Sequence, residues 1–152
     1  MAQCLINTPL GDMLAVEADG ALTALDFLPE GAQVAAGDDT PLLRRVKAQL
    51  TAYFAGELQA FDLPIKPRGT DFQQKVWQRL LNIPYGETRS YGQIAKEIGQ
   101  PGASRAVGQA NNRNPIAIVV PCHRVVGASG SMTGYGGGLP RKEALLELEK
   151  TP

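Results

Sequence analysis

Cysteine and histidine are nearly absent from the sequence. Its 152 residues contain two cysteines, Cys4 and Cys122, and one histidine, His123. A disulfide framework would need more cysteines in a secreted context, so we expect both to be thiols in a reducing compartment. Two cysteines and one histidine are also too few soft ligands for a closed tetrahedral zinc site. The sequence therefore predicts no bound metal and no cofactor.

Long apolar runs are missing as well. No stretch approaches the roughly 20 apolar residues that a membrane-spanning helix needs. The N-terminus lacks the charged and apolar segments of a secretion signal. Hydrophobic residues account for 43% and charged residues for 20% of the chain, as is usual for a protein that buries a core. We therefore expect a soluble, cytoplasmic protein that does not engage a membrane.

The net charge is zero, but the charges are unevenly distributed. Residues 1–67 hold 4 Lys and Arg against 9 Asp and Glu, whereas residues 68–152 hold 11 against 6. A charge difference between halves is typical of proteins with a polyanion-binding lobe, although scattered surface charges give the same counts. We predict two domains, over 1–67 and 68–152, of which the second is the candidate for binding a polyanion such as a nucleic acid.

The N-terminal half predicts a small sheet followed by a helix. Short apolar runs flank Asp19-Gly20, which is a strong hairpin signal. Thr40 is a good N-cap, and apolar residues recur at helical spacing from there to Gly56. The proline-containing segment 63–69 then predicts a linker.

The C-terminal half predicts several short helices. Thr70 with Gln73 and Ser90 with Gln93 have the spacing of capping boxes, so helices should begin there. Ser104 is expected to cap a further helix that runs to about 112. The last two of these helices, joined by a Gly/Pro turn, describe a helix-turn-helix.

Two further segments complete the predicted domain. Residues 116–120 are apolar and mostly β-branched, which favours a buried strand or extended segment. After a glycine-rich loop, a last helix should begin at Pro140, with Ala144, Leu145 and Leu148 facing inward. The strand leads directly into Cys122 and His123.

The adjacent Cys122 and His123 are the first candidates for chemistry. A thiol attacks as the thiolate, and an imidazole can take its proton directly or through a water. A carboxylate could orient the imidazole, and the last helix offers Glu143, Glu147 and Glu149. The alternative is that Cys122 is only a small buried hydrophobic residue, which is the interpretation that Cys4 keeps.

The predicted second helix of the helix-turn-helix is rich in small residues. Its sequence from 104 to 112 allows a close approach of the backbone, which suits docking by shape in a minor groove better than reading of bases. Arg105 lies at its start and could contact a base stack or a phosphate. A plain helical hairpin packed on the core is the competing interpretation.

Together these residues resemble the O6-alkylguanine-DNA alkyltransferases, the methylated-DNA–protein-cysteine methyltransferase family. The resemblance covers about 70–149, over half of the chain, and the first 67 residues match weakly. It rests on Ile83-Pro84-Tyr85-Gly86, Ser90-Tyr91, Ser104-Arg105-Ala106-Val107-Gly108, Asn114-Pro115, Pro121-Cys122-His123-Arg124-Val125 and Gly134-Tyr135. The likeness implies an α+β fold: a small RNase H-like lobe of sheet and helix, then a mostly helical lobe with the helix-turn-helix and the reactive cysteine.

The resemblance implies a role for each matching residue. Cys122 would accept the alkyl group, while His123 acts as base through a water and Glu149 polarises it. Asn114 would brace the loop behind the reactive segment. Tyr91 would donate a hydrogen bond or proton to the leaving guanine.

The resemblance also implies DNA contacts and a base pocket. Arg105 would enter the duplex in place of an extruded nucleotide. The other implied DNA contacts are Ala106, Gly108, Gln109, Asn112, Arg113 and Arg124. The implied lining of the pocket is Tyr91, Val125, Tyr135 and Gly136. Gly136 departs from the alanine or serine of many relatives, which could widen that pocket.

The implied activity is irreversible DNA repair. An alkyl group would pass from O6-alkylguanine in double-stranded DNA to Cys122 after nucleotide flipping, and the inert thioether would limit each molecule to one turnover. A monomer is expected. The range of alkyl groups, O4-alkylthymine as a substrate, cooperative binding along DNA and the fate of the alkylated protein stay open. The competing functions are a lesion-binding module without transfer and a cysteine hydrolase.

Overall fold

Three antiparallel strands and one helix form the N-terminal unit of the computed structural model, which describes residues 1–150. The unit covers Met1–Pro67. Its sheet has the order β1 (Ala2–Thr8), β2 (Gly11–Ala18), β3 (Ala21–Phe27). The predicted hairpin turn forms at Asp19 and Gly20, which both have positive φ, 54° and 75°.

Helix α1 (Pro41–Phe54) packs on β1 and β2. It begins where the sequence predicted, because the Thr40 hydroxyl accepts a hydrogen bond from the Leu43 N–H at 3.0 Å. Its buried face consists of Leu42, Leu43, Val46, Leu50 and Tyr53. These side chains and the inward residues of the strands give the first unit a core of its own.

The second unit, which starts at Arg68, is mostly helical. Its helices are α2 (Asp71–Leu80), α3 (Tyr91–Glu97), α4 (Ser104–Asn112) and α5 (Leu139–Glu149). Two short parallel strands, β4 (Arg89–Ser90) and β5 (Val125–Val126), join distant parts of this unit. This architecture confirms the predicted fold class. Among the described residues, none of the helices has the length and apolar character that crossing a membrane requires.

Local capping explains where α2 and α3 begin. Both predicted capping boxes form: Thr70 and Gln73 exchange hydrogen bonds of 2.9 and 3.1 Å, and Ser90 and Gln93 exchange bonds of 2.7 and 3.1 Å. The prediction for Ser104 is wrong, because this residue is already the first of α4 and the preceding position gives no side-chain cap.

Helices α3 and α4 form the predicted helix-turn-helix, and both pack on α2. The buried Trp77 of α2 donates its indole N–H to the Ala110 carbonyl of α4 at 2.9 Å. Because an indole N–H needs a partner when it is buried, this bond fixes the position of α4 along α2. The opposite face of α4 is thereby directed to solvent.

The prediction for residues 116–120 is confirmed as to their burial, but it is wrong as to a strand or extended segment. The segment is a buried turn in which the Val120 N–H donates to the Ile116 carbonyl at 3.0 Å, and Ile118 has φ 71°. The Asn114 side chain donates to the carbonyls of Ile116 and Val120 at 3.2 and 2.8 Å. Side-chain bonds from this asparagine thus satisfy backbone groups that a strand would pair with a neighbour.

Helix α5 is rotated relative to the expectation from its apolar residues. Leu145 is buried as predicted, but Ala144 and Leu148 are only half-buried. Lys142 and Glu149 are buried on its inward side. These two ionic groups have hydrogen-bond partners in the interior, which offsets the cost of removing them from water.

Candidate active site around Cys122

Cys122 begins a short 3₁₀ turn that ends at Arg124. Its backbone N–H donates to the Val120 carbonyl at 2.8 Å, and its own carbonyl accepts from the Asn111 side-chain amide at 3.2 Å. The residue is 5% exposed. The sequence argument assumed an extended backbone at this point, whereas the structure has a turn, closed by the Arg124 N–H on the Pro121 carbonyl at 3.0 Å.

His123 is completely buried and is paired with Glu149. Its Nε2 lies 2.7 Å from the Glu149 Oε2. Of the three glutamates that the sequence offered, the fold therefore brings Glu149 to the imidazole, while Glu143 and Glu147 are exposed. If Nε2 donates to the carboxylate, Nδ1 is left as the acceptor, and no hydrogen bond to Nδ1 occurs among residues 1–150. This tautomer is the one that a proton-accepting imidazole needs.

Arg124 completes a buried ionic cluster. Its Nε donates to the Glu149 Oε1 at 2.8 Å, its Nη2 to Oε2 at 3.0 Å and its Nη1 to the Ile83 carbonyl at 2.7 Å. The guanidinium also lies over the Tyr85 ring, 5.8 Å from the centroid. At 6% exposure Arg124 has its donors directed into the protein, which contradicts the prediction that it contacts DNA.

Burial is the largest influence on His123 and lowers the pKa of the imidazole below its usual value. The hydrogen bond and charge of Glu149 act in the opposite direction, and Arg124 and Lys142 add to the lowering. Because Arg124 already compensates the carboxylate, Glu149 favours the imidazolium less than an unpaired carboxylate would. His123 is consequently held neutral, in the state that can take a proton.

Two asparagines fix the backbone on either side of the thiol. Asn114, to which the family resemblance assigned a bracing role, holds the turn before Cys122 through the bonds described above. Asn111, which sequence reasoning did not select, is 1% exposed and holds the Cys122 carbonyl. Asn111 lies on the same side of α4 as the apolar Val107 and Ala110, and this helical spacing could have identified it as buried.

Tyr91 lies at the start of α3, between α4 and the loop 127–138. Its hydroxyl donates to the Thr133 carbonyl at 3.4 Å and accepts from the Thr133 hydroxyl at 3.1 Å. A Cβ on Gly108 would lie 3.7 Å from the Tyr91 ring, so this glycine lets the ring and α4 approach each other. The phenol is half-buried.

The other residues of the predicted pocket lie along the segment after Cys122. Val125 and Tyr135 are buried, whereas Gly136 is exposed. A Cβ on Gly136 would come within 3.3 Å of the Asn112 carbonyl, so this loop passes close to the end of α4. Lys142, another residue that sequence reasoning missed, donates to the Val125 carbonyl at 2.6 Å from α5.

One face of α4 is open to solvent. Its exposed residues, together with the one that follows the helix, are Arg105, Ala106, Gln109, Asn112 and Arg113. Gly108 is half-buried beside them. With two arginines and no acidic residue, this exposed face is suited to a polyanion, and its short side chains permit close approach.

Two family models match adjacent parts of the chain. One is described as 6-O-methylguanine DNA methyltransferase, ribonuclease-like domain, and matches residues 1–67. The other is described as 6-O-methylguanine DNA methyltransferase, DNA binding domain, and matches residues 71–151. Together they account for nearly the whole sequence.

Individual relatives match over similar lengths. The methylated-DNA–protein-cysteine methyltransferase of Mycobacterium bovis is 56% identical over 149 residues, which cover 96% of this chain and 90% of the relative. The protein of the same name from Methanosarcina acetivorans is 50% identical over 153 residues, covering 98% of each. The crystal structure of Mycobacterium tuberculosis OGT in complex with DNA has a TM-score of 0.91 and 55% identity, and the match covers 99% of this chain and 94% of that one.

Proposed function

The chain belongs to the 6-O-methylguanine DNA methyltransferase family, and from this premise we propose that Cys122 is the residue that accepts the alkyl group. The reaction is the direct transfer of an alkyl group from DNA to a protein cysteine, which repairs the base. One observation supports the assignment to Cys122 above all: the thiol is followed by a buried imidazole whose Nε2 lies 2.7 Å from a buried carboxylate, an arrangement that favours the tautomer with Nδ1 as the proton acceptor.

The transfer step follows from these groups. The Cys122 sulfur forms a bond to the alkyl carbon, and the bond from that carbon to guanine O6 breaks. The thiol proton passes through a water to Nδ1 of His123, while Glu149 stabilises the resulting imidazolium. Guanine leaves with the electron pair of the broken bond and takes up a proton in place of the alkyl group.

Tyr91 is proposed to assist the departure of the base. Negative charge develops on the guanine as the carbon–oxygen bond breaks, so a phenol that donates to the ring stabilises the transition state. The product on Cys122 is a thioether, and none of the proposed catalytic groups can cleave it. One molecule therefore repairs one lesion.

The exposed face of α4 is proposed to dock the protein on double-stranded DNA. The related OGT was crystallised in complex with DNA, and residues 68–152 of this chain would form the DNA-binding and catalytic domain. Arg105, at the exposed start of the helix, would fill the space left by a flipped nucleotide. We propose a monomer as the acting unit and a cytoplasmic location for it.

Intact-mass measurement tests the proposed function. After incubation with a duplex that contains one O6-methylguanine, the protein should gain one methyl group, and peptide mapping should place it on Cys122. Binding without a change of mass would indicate the lesion-binding module instead. Repeated turnover of a thioester or peptide without an adduct would indicate a hydrolase.

A matched pair of substrates tests the role of Arg105. In Arg105→Ala we expect slower repair of the lesion in a duplex and a smaller effect on free O6-benzylguanine, because only the duplex requires a flipped nucleotide. Arg113→Ala, at the other end of the exposed face, is the control for loss of a positive charge alone. Equal losses on both substrates would contradict the proposed intrusion.

A further inference from the structure

Lys142 on α5 is the one lysine that the structure buries completely among residues 1–150. Its ammonium donates to the carbonyls of Val125 and Thr133, both at 2.6 Å, and approaches the Gly134 carbonyl at 3.4 Å. No carboxylate lies within ion-pair distance of it in the described part of the chain. The ammonium is thus solvated by backbone dipoles and has no fixed counter-ion.

An arrangement of this kind is costly. Burial disfavours a charged ammonium, and the pKa of Lys142 is accordingly lowered, with desolvation as the first cause. An apolar side chain of similar length would fill the same space without this cost. The second influence on the same pKa is the charge of Cys122, which raises it. A thiolate at Cys122 would therefore be stabilised by this ammonium.

The other ionic groups around the thiol are already paired with one another. His123 and Arg124 both bind Glu149, so their interactions are directed to that carboxylate. Lys142 is the remaining buried cation, it lies on α5, which packs against the Cys122 turn, and no carboxylate of the described residues balances its charge. A thiolate at Cys122 would supply the missing negative charge.

Lys142 also connects the parts of the proposed pocket. Val125 lies on β5, directly after the Cys122 turn, whereas Thr133 and Gly134 belong to the loop 127–138. The same Thr133 carbonyl accepts from the Tyr91 hydroxyl. One ammonium therefore holds the loop on β5 and, through Thr133, orients the carbonyl to which the phenol is bonded.

We propose that Lys142 is a positioning residue of the transfer site, whose ammonium anchors the pocket loop and serves as the electrostatic partner of the Cys122 thiolate. This inference rests on the proposed role of Cys122 as the alkyl acceptor. It assigns to α5 a second contribution besides Glu149. The sequence gives no local sign of it, because lysine in a terminal helix is ordinarily exposed.

The test measures the reactivity of Cys122 without DNA. In a Cys4→Ser background, which removes the other thiol, the rate of carboxamidomethylation by iodoacetamide is followed against pH for the parent, Lys142→Met and Lys142→Arg. We expect Lys142→Met to shift the midpoint of the profile up by about one pH unit, which makes labelling about tenfold slower at pH values well below both midpoints. The rate at the alkaline plateau should change little, since there the thiolate is fully formed in both proteins.

The two charge states separate an electrostatic role from a purely structural one. Lys142→Arg keeps the cation, so its midpoint should stay near that of the parent even if the loop moves and lesion repair slows. Lys142→Gln takes the place of Lys142→Met if the latter does not fold. An unchanged midpoint in the neutral variant, or an equal shift in Lys142→Arg, would overturn the proposal.

Failure of this inference can be told from failure of the proposed function. Iodoacetamide labels the thiol whether or not the protein repairs DNA. A parent protein that gains no methyl group from damaged duplex would refute the function, whereas its labelling profile would still report on Lys142.

Discussion

The two thiols of the chain differ in burial, because Cys122 is buried and Cys4 is partly exposed, and their surroundings are opposite in character. Cys4, on β1, has its pKa raised by desolvation first and by the nearby Asp38 and Asp39, with Lys47 opposing them. Cys122 lies in a turn that also contains the buried His123, and the helix that packs on this turn carries the buried Lys142. Since burial by itself raises the pKa of a thiol, the more buried Cys122 can serve as the proposed acceptor only through the charges of its neighbours.

Exchanging each thiol for a hydroxyl should give the largest contrast. Cys122→Ser is expected to lose alkyl transfer completely while it still binds a lesion duplex, because a serine hydroxyl is far less acidic than a thiol. Cys4→Ser should transfer one methyl group per molecule like the parent. Intact-mass measurement and a gel-shift titration check both. Stoichiometric transfer by Cys122→Ser would mean that Cys122 is not the alkyl acceptor.

The ionic cluster behind Cys122 should give the next largest effect. Glu149→Gln leaves Arg124 buried without its counter-ion, which we expect to lower the free energy of unfolding by about 3–5 kcal/mol. It also removes the carboxylate that orients His123, so repair by the remaining folded protein should slow. Urea unfolding and single-turnover repair kinetics measure the two losses.

Glu147→Gln is the matched control for that variant. Glu147 lies on the exposed side of the same helix and pairs with Lys150 at 3.3 Å in water. Surface pairs of this kind contribute little, so neither stability nor repair should change measurably. Similar losses in the two variants would mean that the helix as a whole, rather than the buried carboxylate, supports the site.

The neutral state of His123 predicts a specific dependence of stability on pH. The pKa of this imidazole is lower in the folded protein than in the unfolded chain, so its contribution is complete above the unfolded value of about 6.5 and is lost as the pH falls toward the folded value. Below pH 6.5 stability should fall by up to about 1.4 kcal/mol per pH unit.

Denaturant unfolding at pH 7.5, 6.5 and 5.5 measures this slope. Because His123 is the only histidine in the chain, no second imidazole contributes to it. The variant His123→Gln should lose most of the slope in this interval. A parent whose stability is constant between pH 7.5 and 5.5 would show that the imidazole binds a proton as readily in the fold as outside it.

Much of the fold could be predicted because its signals are local. The turn at Asp19-Gly20 and the capping boxes that begin at Thr70 and Ser90 depend on residues at most three positions apart, and all of them form. The apolar run at 116–120 misled the prediction, since β-branched residues favour strands only where a partner strand exists. Here Asn114 satisfies the backbone instead.

The candidate site could be predicted only in part, because only some of its signals are local in the sequence. The adjacent cysteine and histidine, and a glutamate in the last helix, are visible in the sequence. Which glutamate faces His123 depends on the rotation of α5, and that rotation follows from contacts far apart in the chain. The burial of Arg124, Asn111 and Lys142 is likewise a tertiary fact, because residue types that are usually exposed give no local sign that they turn inward.

The smallest predicted effect concerns the neighbours of Cys4. In a Cys122→Ser background only Cys4 can be labelled, and removing the negative charge in Asp39→Asn should make labelling at pH 8 faster by at most about threefold, since exposed charges are screened by water. Lys47→Gln is the matched control and should slow it, because Lys47 lowers the pKa of this thiol. A change of the labelling rate in the same direction for both variants would mean that access to the thiol, rather than the charge of its neighbours, controls the reactivity of Cys4. The difference between Cys4 and Cys122 would then have to be explained by their burial.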